Sequence, residues 1–146
     1  IKKQNSVIMD KLADITLNEG MSFEVAVDGH KFMFDAAEKV GGKNRGPRPK
    51  PLTLASLGGC TGMDVISILR KMRVDPDYFN VSVSATSTDE HPKHYDNIKI
   101  TYTFKGKDLP MNKLEKAINL SQDRYCGVTA MLKKAVNITH EIKILD

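Results

Sequence analysis

The stretch LTLASLGGCTGMDVISILRKM, Leu52–Met72, decides the fold. Leu54, Leu57, Thr61, Val65, Ile68 and Met72 recur at steps of three and four residues, the period of one helix face. A second row, Leu52, Ala55, Gly59, Ile66 and Leu69, is nearly as apolar. A helix apolar on two flanks needs cover on both. One small sheet covers one flank. The other calls for a second layer or a second subunit, and Gly58, Gly59 and Gly62 permit close backbone approach there. Asp64, the Ser and Thr residues and three Gly make the stretch a poor membrane span.

Upstream, Ala13–Asn18 and Ser22–Val27 read as strands, the second with Phe23, Val25 and Val27 on one face. Asp28-Gly29 is a type I′ hairpin signal, and a strand returns over Lys31–Ala36 with Phe32 and Phe34 on its buried side. Glu38–Pro51 is rich in Gly, Pro and basic residues and reads as a loop long enough to suggest a function. Downstream, Val81, Val83 and Ala85 alternate with polar residues, as do Ile98, Ile100, Tyr102 and Phe104, which predicts an antiparallel ribbon joined through Asp89–Asp96. Pro110 opens a helix to about Tyr125 with Met111, Leu114, Ile118 and Tyr125 on its inner stripe. A short helix over Val128–Ala135 and a last strand with Ile138, Ile142 and Ile144 complete the chain. Strand runs separated by helices, without βαβ alternation, predict an α+β fold with antiparallel sheets in a single domain over residues 1–146.

Composition narrows the function classes. The 146 residues are 40% hydrophobic and 27% charged, which excludes collagenous, low-complexity and disordered chains. The net charge of +4 comes from 22 basic and 18 acidic residues interspersed with one another, so neither a nucleic-acid nor a membrane partner is expected. Ile1-Lys2-Lys3-Gln4-Asn5 is polar with no apolar core after it, so no secretory signal is expected. Two cysteines in such a chain point to the reducing cytoplasm.

Cys60 falls on the only polar stripe of its helix, with Thr53, Ser56, Asp64 and Ser67. An inert thiol would sit as comfortably on either apolar row, although a small packing residue is the alternative. Cys126 stands where one helix ends and the next begins, next to unpaired N–H groups that favour thiolate. Two thiols so placed suggest a couple in which one is oxidised to sulfenic acid and the other condenses with it. Asp64, one turn from Cys60, opposes a thiolate there, so activation calls for a cation. Arg45 and Arg48 in the preceding loop are the candidates. The cysteines lack C-x-x-C spacing, and His91 and His94 lie at a polar hairpin tip, so neither a metal nor a cofactor is expected.

Gly46-Pro47-Arg48-Pro49 followed by the Leu52–Val65 run resembles the first cysteine helix of the OsmC/Ohr superfamily, most closely its OsmC-like branch. Tyr125-Cys126-Gly127-Val128-Thr129-Ala130-Met131-Leu132 resembles the second cysteine motif of that branch. The resemblance implies an intertwined homodimer, with antiparallel sheets wrapped around central helices and active sites at the subunit interface. It implies peroxiredoxin-like, thiol-dependent reduction of organic hydroperoxides in an oxidative stress response, with Cys60 peroxidatic and Cys126 resolving. In better-studied members a Glu after the Pro helps hold a catalytic Arg; the matching position here is Pro51, and the Arg position falls among Phe34, Asp35 and Ala36. The expected partners are a second subunit, a hydroperoxide or other small apolar ligand, and an external dithiol reductant. Met63 and Met72 are expected to line the apolar pocket near Asp64. The rival readings are a non-catalytic dimeric binding protein for a small hydrophobic ligand and a slow thiol redox sensor.

Overall fold

The computed structural model describes residues 13–146, so the reading of Ile1–Asn5 lies outside the described residues. Two compact units divide the chain, the first ending at Leu52 and the second running from Thr53 to Asp146.

The first unit is an antiparallel sheet in the order β1 (Ala13–Glu19), β2 (Ser22–Val27), β3 (His30–Phe34). Asp28 and Gly29 both take positive φ, 49° and 76°, as a type I′ turn requires. Phe23 pairs with Phe34 and Val25 with Phe32. Both β3 phenylalanines are half-buried, and their rings meet edge to face with centroids 5.3 Å apart.

The basic loop that follows is held by Asp35. Its Oδ1 accepts the Ala36 N–H at 2.8 Å, and its Oδ2 accepts the Lys43 and Arg45 N–H groups, each at 3.1 Å. Burial would raise this carboxyl's pKa, but the backbone donors of Arg45, Ala36 and Lys43 outweigh it and the pKa lies below the ordinary range. Two glycines let the loop close onto its own strand. A Cβ on Gly42 would lie 1.9 Å from the Ala36 carbonyl oxygen, and one on Gly46 1.9 Å from that of Met33, so no side chain fits at either place.

Helix α1 spans Pro49–Lys71. It begins three residues before the expected start, because Pro49 and Pro51 suit a first turn whose N–H groups have no intrahelical acceptor. Among the described residues it is the one helix long and apolar enough to cross a membrane by length and composition. In the second unit α1 packs on a sheet ordered β4 (Tyr78–Ser87), β5 (Tyr95–Lys105), β6 (Asn137–Leu145). Glycine makes this contact close: a Cβ on Gly58 would stand 3.1 Å from Val83 Cγ2, and one on Gly62 3.3 Å from Val81 Cγ2. Gly59 has nothing within 4 Å of such an atom, so only two of the three glycines are used by the sheet.

β4 and β5 are antiparallel, as expected, whereas β6 runs parallel to β5 with Ile98 beside Ile138 and Phe104 beside Ile144. The reason is the connection. α2 (Met111–Leu120), a π-helical turn (Ser121–Tyr125) and α3 (Gly127–Leu132) carry the chain back to the start of β5, which a parallel neighbour requires. The core joins Leu57, Val65 and Leu69 of α1, Ile98, Ile100, Tyr102 and Phe104 of β5, and Leu114, Ala117 and Ile118 of α2. The inner stripe predicted for the helix opened by Pro110 fails at its ends: Met111 is 43% and Tyr125 54% exposed. The π turn is wider than an α turn, so helical counting breaks after Ser121: Ser121, three residues past Ile118, still faces the core, whereas Tyr125 does not.

Candidate functional site

Three expected site residues come together in the second unit. Cys60 and Asp64 stand one turn apart on α1, and Cys126 caps the start of α3. The two Sγ atoms and an Asp64 carboxylate oxygen all lie within 4.8 Å of one another. Both cysteines are free thiols, Cys126 buried and Cys60 partly exposed.

Cys126 is an N-cap residue, with the Thr129 N–H donating to its Sγ at 3.3 Å. A thiolate was the expectation from this setting, but burial wins. Desolvation pushes the Cys126 pKa above its ordinary value of 9.0. Thr129 pulls it back in part, its N–H through the bond to Sγ, while its buried hydroxyl has no hydrogen-bond partner among the described residues. The neighbouring Cys60 adds to the rise.

Behind the thiols runs a chain of buried hydroxyls. Ser121 Oγ donates to Asp64 Oδ2 at 3.1 Å, Thr61 Oγ1 and Ser121 Oγ are 2.8 Å apart, and Thr61 Oγ1 and Tyr102 OH are 2.7 Å apart. Gln122 Nε2 donates to Tyr102 OH at 2.6 Å and approaches Thr61 Oγ1 at 3.3 Å. Each hydroxyl has a single proton, so the carboxylate at one end sets every direction. Ser121 spends its proton on Asp64 and must accept from Thr61; Thr61 must then accept from Tyr102; Tyr102 accepts from Gln122. The chain holds Asp64 and the start of the π turn in one arrangement. Burial pushes the Tyr102 hydroxyl above its ordinary pKa of 10.0, against the pull of Thr61 and Gln122.

Periodicity in the sequence puts Thr61 and Tyr102 among apolar core positions and does not single out Ser121 or Gln122. A signal was present: a threonine on a core stripe and a tyrosine on a buried strand face each need a hydrogen-bond partner.

Arg45 and Arg48 belong to the first unit. Both terminal nitrogens of Arg45 donate to Glu19 Oε2 at 3.2 Å, while Lys43 Nζ donates to Glu19 Oε1 at 3.1 Å. The hydrogen bonds from Lys43 and Arg45 hold the Glu19 carboxyl below its ordinary pKa. Arg48 Nη1 donates to Asn44 Oδ1 and to the Gly46 carbonyl. Met63 is 74% exposed, whereas Met72 packs against the core of the second unit.

Comparison with known proteins bears on the family and the fold. The family model described as OsmC-like protein matches residues 41–141. Protein YhfA of Escherichia coli K12 is 33% identical over 128 residues, covering 87% of this chain and 92% of that protein. The crystal structure of a hypothetical protein from Aquifex aeolicus VF5 matches at 30% identity and a TM-score of 0.78, over 95% of this chain and all of the other. An organic hydroperoxide resistance protein OsmC from Legionella pneumophila shares the fold, with a TM-score of 0.68 at 12% identity over 94% of this chain and 99% of its own.

Proposed function

This chain belongs to the OsmC-like family, and from that premise we propose that it is a thiol-dependent reductase of organic hydroperoxides. The observation that carries the reading is the pair of free thiols within 4.8 Å of each other, one partly exposed and one buried. Cys60, the accessible sulfur, attacks an oxygen of the O–O bond as thiolate. The bond breaks, the peroxide leaves as its alcohol after taking a proton, and Cys60 becomes a sulfenic acid. Cys126 then attacks that sulfur, a disulfide forms and water departs. An external dithiol returns the pair to the reduced state.

A Cys60 thiolate needs a cation, for which Arg45 and Arg48 are the candidates, and single Arg→Met substitutions test each. The second flank of α1, where Gly59 and Met63 are exposed, supports a homodimer, checked by sedimentation. Met63 on that flank is placed beside the apolar tail of the substrate. Free thiols operate in a reducing compartment, so we place the protein in the cytoplasm.

The test is consumption of an alkyl hydroperoxide in the presence of a dithiol. Cys60→Ser is expected to lower it by at least ~10³-fold, the scale on which a lost nucleophile acts. Cys126→Ser is expected to permit one turnover and leave a sulfenic acid that dimedone traps. Wild-type protein that consumes no peroxide would end the reading. Burial of Cys126 favours one alternative, a slow thiol switch, which stoichiometric oxidation without turnover would establish instead.

A further inference from the structure

We propose that the reduced protein binds one Zn²⁺ through Cys60 Sγ, Cys126 Sγ and an Asp64 carboxylate oxygen. The inference rests on the reduced dithiol of the proposed reaction but not on peroxide reduction itself.

The donor set fits the ion. Zinc takes thiolate at about 2.3 Å and carboxylate oxygen at about 2.0–2.2 Å in a tetrahedron, which puts ligand atoms roughly 3.5–3.8 Å apart. The three atoms here already lie within 4.8 Å of one another, so a contraction of no more than about 1.3 Å completes the site. Two sulfurs select a borderline-soft ion over magnesium or calcium. Three protein ligands leave a fourth position for water, and the partly exposed Cys60 gives a way in.

Two features hold the ligands from behind, as outer contacts do in metal sites. Thr129 N–H donates to Cys126 Sγ, and Ser121 Oγ donates to Asp64 Oδ2, leaving Oδ1 without a hydrogen bond among the described residues. Ser121 is itself fixed by Thr61 and Tyr102. Asp64 also gains a role. Beside a free thiolate a carboxylate is unfavourable, whereas around a divalent cation the three negative groups share one positive partner. Binding releases the two thiol protons to water and moves no electrons. Zinc and disulfide compete for the same sulfurs, so oxidation expels the ion and the ion shields the thiols.

Co²⁺ is the probe, titrated anaerobically into metal-free, fully reduced protein. The expected result is one equivalent bound with sulfur-to-cobalt charge-transfer absorption and tetrahedral d–d bands, both abolished by Zn²⁺. Cys60→Ser and Cys126→Ser should each remove most of the charge transfer; serine keeps the cap acceptor at position 126, so that variant retains α3. Asp64→Asn keeps an acceptor for Ser121 and should retain the charge transfer while weakening binding at least about tenfold. No charge transfer at one equivalent, with both thiols titratable, overturns the site. Unchanged affinity in Asp64→Asn overturns the ligand set. Peroxide consumption is measured on the same metal-free samples: cobalt bands without consumption defeat the reductase reading alone, and consumption without bands defeats the metal site alone.

Discussion

Cys60 and Cys126, far apart in sequence, hold their sulfur atoms within 4.8 Å of each other as free thiols. The contact joins the middle of α1 to the first residue before α3. It gives the two sulfurs unequal environments, and that inequality sets the first expectation.

Buried Cys126 keeps its proton above the ordinary pKa of 9.0. Only its thiolate attacks a sulfenic acid. Disulfide formation after a single oxidation of Cys60 should therefore accelerate about tenfold for each pH unit up to and beyond pH 9.0. Stopped-flow measurement of sulfenic acid decay checks this, and a rate flat across the alkaline range would refute it.

Stability should fall on the alkaline side for the same physical reason. The native state holds the protons of Cys126 and Tyr102 more tightly than the unfolded chain, whose values are near the ordinary 9.0 and 10.0. Below 9.0 both states are protonated and the whole contribution is present; as pH rises, the unfolded chain loses its protons first and stability declines. Urea midpoints between about pH 8 and about pH 11 should drop, and Cys126→Ser and Tyr102→Phe should each flatten the slope.

Thr61→Val tests the hydroxyl chain. Valine matches threonine in shape but leaves Ser121 without its donor and Tyr102 without its acceptor. A loss of about 1–3 kcal/mol is expected from urea unfolding, well above that of an isosteric change at an ordinary core site. A loss below about 0.5 kcal/mol would mean the chain adds nothing.

Asp35→Ala removes the acceptor shared by the Ala36, Lys43 and Arg45 N–H groups. Bonds to a charged acceptor are worth about 1.5–3 kcal/mol, so amide exchange at Lys43 and Arg45 should quicken by about tenfold or more. Exchange at Val25, in the neighbouring ladder of β2, should change little.

How far the site could be read from sequence differs by residue. Cys60 and Asp64 share a face because they are one turn apart on one helix, and the polar stripe announced it. Cys126 was visible as a helix-junction thiol, but its raised pKa was not, since burial depends on what packs over it. Thr61 looked apolar by position, and only its partners on β5 and in the π turn reveal why a hydroxyl stands there. The parallel course of β6 was missed because strand alternation is the same in either direction.

Sequence alone determined the two antiparallel ribbons, the long central helix, the Asp28-Gly29 turn and the family resemblance, since periodicity, turn chemistry and motif spacing act over neighbouring residues. Tertiary structure decided which distant groups meet. It set two sulfurs and a carboxylate together, left Tyr125 exposed after a π turn, and ran β6 alongside β5. Those outcomes depend on helix packing against a sheet and on the exclusion of water, which no local pattern encodes.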